Sequence, residues 1–297
     1  MLLNKLIISV ACALSFFALG ATRAAATIRT VPVPYATIQS AVDASSPGDT
    51  VSIAPGSYDE QVVVTTSDLT ITGSGAGSTI IQPTSVVANS TSLITGNPIA
   101  AIVLVDGASG VTIEQLSVDG SFAGTLLGCS PSFIGIFYRA ASGLVSETHV
   151  ANIFTPFNPG CQGSIGIFVQ SGNGGPKQNS DVVIDSNTVD NYGKNGITAN
   201  GGGTAVTVTD NIVTGRGPLG PGDAAQNGVQ LGNGAHGKIE GNDISDNYYT
   251  PSDFVGCGIL AFKAGGAIGQ TRSNTFSGNE QNVCNTSGGP SPFSPFN

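Results

Sequence analysis

The chain has 297 residues, only 10% of them charged, and its 10 Lys and Arg stand against 19 Asp and Glu for a net charge of −9. That acidic balance excludes nucleic acid as a partner, because phosphates need clustered cations. The 42 glycines do not mark a disordered chain, since apolar residues recur regularly between them.

Residues 1–26 carry Lys5, an apolar run from Leu6 to Leu19 and the small-residue sequence Ala24-Ala25-Ala26. This is the pattern of an export signal, with an apolar run too short to span a bilayer. Its removal takes away Lys5, Arg23 and Cys12, leaving 8 of the 10 basic residues and four of the five cysteines. An exported chain uses such an even number for two disulfides. No later apolar stretch is long enough for a transmembrane helix, so a periplasmic or secreted protein is expected.

From Thr37 to Ala44 the apolar residues Ile38, Ala41 and Val42 follow the i, i+3, i+4 spacing of one helix face, and the stretch closes before Ser46-Pro47-Gly48. A short amphipathic helix here would cover the open end of a core that starts with the runs Asp49–Ile53, Val62–Val64 and Leu69–Gly73.

Beyond them one pattern repeats. A Gly-Ile/Val word stands at Gly135-Ile136, Gly166-Ile167, Gly196-Ile197, Gly228-Val229 and Gly258-Ile259, at intervals of 31, 30, 32 and 30 residues. An Asn-x-Val/Ile/Phe word stands at Asn187, Asn211, Asn242 and Asn274; earlier passes keep its apolar position as Val118 and Val150 but place Leu116 and Thr148 in the Asn slot. A period near 30 with short β-branched runs and no helix is one turn of a parallel β-solenoid. The four Asn should stack as an internal ladder at a tight turn, the Asn itself taking left-handed backbone geometry. One elongated domain of roughly eight to ten coils is expected over residues 27–284, counted at about one coil per 25 to 30 residues, followed by a Pro/Ser-rich tail, 285–297.

Thr37-Ile38-Gln39-Ser40-Ala41-Val42, Pro47-Gly48-Asp49-Thr50-Val51, Pro55-Gly56-Ser57-Tyr58-Asp59-Glu60 and Leu69-Thr70-Ile71-Thr72-Gly73 resemble the opening of the pectate-lyase-like superfamily. The Asn-x-Val words continue that resemblance to about residue 284. It implies an all-β, single-stranded right-handed parallel β-helix with a short N-terminal capping helix. Pectin esterases, lyases, alginate epimerases and non-catalytic β-helices share this opening. The Gly-x-x-Asp-Phe-Ile-Phe-Gly and Leu-Gly-Arg-Pro-Trp words of pectin esterases are absent, as are the Asn-Thr-Asp, Asp-Asp, Gly-His-Gly and Arg-Ile-Lys words of polygalacturonases, and the chain has no Trp. Paired carboxylates for glycoside hydrolysis have no candidates.

In this fold the Asn turn separates the second and third strands of a coil, and the Gly-Ile/Val word is the first strand. The resemblance implies that substrate lies along that first strand, beneath the long third turns. With Ile136, Ile167, Ile197, Val229 and Ile259 facing in, alternation turns Phe137, Phe168, Thr198, Gln230 and Leu260 outward. Arg139, Gln170, Asn200, Gly232 and Phe262 form the next outward column, and Asn195 and Asn227 should lie side by side. Amides mixed with aromatics suit a sugar groove, and suit an ordinary exposed surface equally.

β-Elimination or C5 epimerisation of a uronic acid needs a base, a partner for the carboxylate and an acid. Lys194 as base, Arg139 or Arg216 as carboxylate partner and Tyr192 as acid make that cast, although each also fits a solvated loop position. His149 falls beside the Asn turn and His236 on the turn opposite the groove, so no metal site of the usual spacing is expected. Asp190, Asp223 and Asp246 lie in neighbouring turns and could meet calcium, without a calcium-loop motif.

By spacing, Cys129 pairs with Cys161 and Cys257 with Cys284, each about one coil apart. Two roles stay open. One is an exported lyase or epimerase acting on a polysaccharide; the other is a non-catalytic β-helix that binds carbohydrate or serves as a surface or periplasmic accessory protein.

Overall fold

The computed structural model describes residues 25–172, 179–251, 253–265, 268–269 and 273–286. The export signal therefore lies outside the described residues except for Ala25 and Ala26, and so does the tail from residue 287.

Three parallel sheets run the length of the molecule. Each coil contributes a first strand such as Asn195–Asn200, a second such as Thr204–Thr209 and a third such as Ile212–Leu219, and each strand pairs with its counterpart one coil on. This is a parallel β-helix, wound in the right-handed sense that parallel crossovers take. Among the described residues eight first strands run from Val62–Val64 to Gln281–Asn285, one to each coil.

Alternation explains the core. Ile136, Ile167, Ile197, Val229 and Ile259 stack on the first-strand sheet with at most 1% exposure, and meet Ile184 and Val208 from the second and Val189, Val213 and Ile244 from the third. The glycine of each Gly-Ile/Val word has a steric cause. A Cβ on Gly196 would lie 2.5 Å from Val213 Cγ1, and one on Gly228 2.4 Å from Ile244 Cγ2. The apolar residue of the Asn-x-Val word fills the space that a side chain there would need.

The Asn ladder is present. Asn187 Nδ2 donates to Asn211 Oδ1, Asn211 Nδ2 to Asn242 Oδ1 and Asn242 Nδ2 to Asn274 Oδ1, each at 2.9 Å. Each Oδ1 also accepts the backbone N–H of the preceding Asn, and Asn187 Oδ1 accepts Thr148 N at 3.0 Å. The left-handed residue is the one before the Asn, contrary to the sequence expectation: Ser186 (φ 58°), Asp210 (55°) and Gly241 (71°). That bend turns the next side chain inward, where its amide can bridge coils. Gln115 (54°) and Glu147 (49°) make the same bend before Leu116 and Thr148.

The capping helix spans Ile38–Asp43, with Ile38, Ala41 and Val42 buried. Thr37 and Ser40 exchange side-chain and backbone hydrogen bonds as a capping box, while the Glu60 carboxylate accepts the N–H groups of Ile38 and Gln39 at 2.8 and 2.9 Å.

Both disulfides form as spaced, with Cα separations of 5.0 Å for Cys129–Cys161 and 6.0 Å for Cys257–Cys284. Cys284 lies within the strand Gln281–Asn285, which pairs with Cys257–Phe262. The third strands Ile212–Leu219 and Asp243–Tyr249 pair with each other across a register shift between Thr214 and Gly217.

Candidate functional site

The outward side of the first-strand sheet changes character halfway along. One outward column runs Val63, Leu104, Phe137 and Phe168, then becomes Thr198, Gln230 and Leu260. Its neighbour runs Ala101, Ile134 and Ile165, then Asn195 and Asn227.

The apolar part is not open to solvent. Phe137 and Phe168 stack at 4.9 Å and belong to a second apolar cluster with Ile99, Ala101, Leu104, Ile134 and Ile165. The segment 89–97 lies across this half. Ser90–Thr91 pairs antiparallel with Pro98 and Ile99, and the Asn89 side chain exchanges two hydrogen bonds with the Ala101 backbone. Gln170 bonds Leu93 N and Ser92 Oγ, and Arg139 Nε bonds Thr91 O at 2.9 Å. Phe137 and Phe168, expected to meet sugar, are thus 0% and 5% exposed beneath a strap. Arg139 is committed to that strap and to Asp106 at 2.9 Å, away from Lys194.

The polar part borders an open groove, although Asn195, Thr198 and Asn227, expected to meet sugar, are themselves 3%, 0% and 1% exposed and bond mainly to one another; Asn200, Gln230 and Gln281 reach solvent. A groove of about 790 Å³ runs over the strands from Ile165–Gln170 to Gln281–Asn285. Its floor is an amide network: Asn195 Nδ2 donates to Thr198 Oγ1 (2.9 Å) and Gln230 Oε1 (3.1 Å), and Asn227 Nδ2 to Asn195 Oδ1 (2.9 Å). Asn200 Oδ1 and Asn227 Oδ1, also from groove-lining residues, are buried without a donor. One wall is apolar, made by Phe254 and Val255 from the turn before Cys257 together with Leu260, Phe262 and Val283. Phe254, 63% exposed, is held edge-on against Tyr249 at 5.7 Å.

Lys194 enters this groove from the short turn before Asn195. Its ammonium donates to the Ala225 carbonyl, and burial pushes its pKa down to about 8. Tyr192 does not join it. The ring is fully buried in the core, against the face of Gly196 that lacks a Cβ, and its hydroxyl donates to Asn247 Oδ1 at 2.6 Å. Burial raises its pKa well above the phenol range. Arg216 is also turned away from the groove: Nε donates to Tyr192 O, the guanidinium meets Asp223 at 3.4 Å and lies 4.8 Å from the Phe154 ring centroid. Of the four-residue catalytic cast, the structure brings only Lys194 into the groove.

His149 binds Asp190 at 2.6 Å on the third-strand sheet, remote from the groove, and the Asp190 carboxylate holds its pKa above the usual imidazole value. Among the described residues no three His, Cys, Asp or Glu side chains gather as a metal site, and Asp223 serves Arg216.

Sequence reasoning missed Asp253, Phe254 and Val255, which line the groove. The available signal was a Phe-Val pair inside an otherwise polar turn immediately before Cys257.

Fold and site together define a parallel β-helix with a lateral groove on its first-strand sheet, as the three parallel ladders and the stacked Asn require. No protein-family model matches the chain, and no curated protein matches it significantly. Among solved structures it is similar to a pectin methylesterase in complex with a hexasaccharide (13% identity, TM-score 0.43, covering 90% of this chain and 68% of that one). It is also similar to an alginate lyase from Paenibacillus (13%, 0.37, 88% and 98%). A third similarity is to the A-module of the mannuronan C-5 epimerase AlgE4 from Azotobacter vinelandii (13%, 0.28, 85% and 95%). Likeness at this level concerns the course of the chain and not its chemistry.

Proposed function

We propose that the protein is an exported β-helix that binds a polysaccharide along the open half of its first-strand sheet. The observation that supports this reading is the pairing, within one groove, of the solvent-reaching amides Asn200, Gln230 and Gln281 with an apolar wall that exposes two Phe rings. Sugars present hydroxyls along their edges and C–H groups on their faces, and such a groove meets both. Two disulfides suit a chain oxidised outside a reducing compartment.

A second reading, a polyuronate lyase or C5-epimerase with Lys194 as base, is favoured by that residue's pKa of about 8. Tyr192, Arg139 and Arg216 do not supply the acid and the carboxylate partner, so binding without turnover is the reading the geometry supports better. Pectate, alginate and neutral glycans, each with and without calcium, separate the readings when binding and unsaturated or epimerised products are measured together. Binding without product is expected. Product formation that rises with pH through about 8 and is lost in Lys194→Ala would establish the enzyme. No binding to any glycan would leave an accessory or structural role.

A further inference from the structure

We infer that the groove selects an uncharged, hydroxyl-rich glycan over a polyuronate, a specificity that rests on the binding reading above. Charge is the first argument. Among the described residues, the ionisable side chains lining the groove are Lys194 and Asp253, whose formal charges cancel. Lys263 stands at the rim, its ammonium 5.3 Å from the Phe262 ring centroid. The remaining arginines near this face, Arg139 and Arg216, are paired with Asp106 and Asp223 and point elsewhere.

Length sharpens the point. The groove crosses five first strands, a span of roughly 19 Å at about 4.8 Å per spacing, which takes roughly four sugar rings. A uronate chain would bring a carboxylate on every ring. Taking those charges out of water beside Phe254, Val255 and Leu260, without a cation for each, is strongly disfavoured.

Hydrogen-bond polarity points the same way. Asn200 Oδ1 and Asn227 Oδ1 are buried acceptors without donors in groove-lining residues, and the Gln230 side chain beside them in the lining is partly exposed. A uronate ring keeps its secondary hydroxyls but carries, in place of the C6 hydroxyl that can donate as well as accept, a carboxylate that brings acceptors alone. The apolar wall completes the match, because the C–H face of a neutral ring can lie on Phe262 or Phe254 without desolvating a charge.

The test is calorimetric titration of the full chain with neutral hexasaccharides of gluco, manno, galacto and xylo configuration, and with hexagalacturonate and hexamannuronate, at about 20 and about 500 mM salt. At least one neutral hexasaccharide should bind about tenfold or more tighter than either uronate. Its Kd should change less than about twofold between the two salt concentrations. Gln230→Leu and Phe262→Ala should each weaken it about tenfold; both side chains reach solvent, so the variants retain the core. Tighter uronate binding that weakens with salt overturns the inference and leaves the binding reading standing. Neutral binding untouched by both variants overturns it by placing the ligand elsewhere. Failure of every hexasaccharide to bind overturns both.

Discussion

Under the strap of residues 89–97, the outward columns of the first-strand sheet are Leu104, Phe137, Phe168, Ile134 and Ile165, packed as a second core. One coil further on, the same columns are Thr198, Gln230, Asn195 and Asn227, facing a groove. The inward residues do not change: Ile136 and Ile167 in the covered half, Ile197 and Val229 in the open half. The inward register of a β-helix leaves its outer face free, so that whatever covers that face selects its chemistry. The turn between second and third strands changes one coil earlier. Leu116 and Thr148 serve the coils of Leu104 and Phe137, whereas the Asn ladder begins with Asn187 in the coil of Phe168 and continues through the open half.

The largest effect should come from breaking the ladder. Asn211→Ala removes bonds to Ile184 O, Thr209 O and Asn242 Oδ1 and leaves Asn187 N without its acceptor. A loss of about 3 to 5 kcal/mol in denaturant unfolding is expected, since buried partners are left unsatisfied. Thr148→Val, in the same column of the covered half, should cost no more than about 1.5 kcal/mol, because Thr148 Oγ1 makes one such bond, to Ser146 O.

Next is the covered face itself. Phe168→Ala leaves Phe137 without its stacking partner and opens a cavity beneath the strap, at a cost of about 3 kcal/mol. Gln230→Ala in the matching column of the open half should stay within about 1 kcal/mol. Equal losses at the two positions would mean that the groove is as tightly packed as the covered face.

Lys194 gives a smaller effect whose sign depends on pH. Its pKa falls from 10.5 to about 8 on folding, so between those values the unfolded chain holds the extra proton and stability rises with pH. Below about 8 the whole burial penalty is present. Lys194→Met should therefore stabilise the protein at pH 7 by about 1 to 2 kcal/mol, discounted for solvent at the groove mouth. That gain should fade as pH approaches 10.5. Thermal unfolding across this range checks both sign and window.

The smallest effect concerns His149, on neither half of the face. Asp190 raises its pKa above 6.5, so the pair contributes below that value and is lost as pH rises through the folded pKa. His149→Gln should destabilise by less than about 1 kcal/mol at acidic pH and not at all in alkali.

The repeat made the fold legible. The Gly-Ile/Val and Asn-x-Val words fix period and register, and with them the Asn ladder and both disulfides, because each depends on the coil-to-coil interval. The strap was hidden: 89–97 belongs to no repeat, and alternation states that Phe137 points outward without stating what lies on top of it. Tyr192 was misplaced for a related reason. Turns have no two-residue period, and the missing Cβ of Gly196, which makes room for its ring, lies four residues away. Arg139 and Arg216 looked available because their partners, Asp106 and Asp223, become neighbours only after folding.

Whether ligand occupies the open half alone can be read from hydroxyl-radical footprinting with and without a saturating bound oligosaccharide. Phe254 and Phe262, 63% and 37% exposed along the groove, should lose reactivity when the ligand is present. Phe122 and Phe157, 54% and 78% exposed and outside the groove, should keep theirs. Protection of Phe122 or Phe157 with Phe254 and Phe262 unchanged would contradict the account.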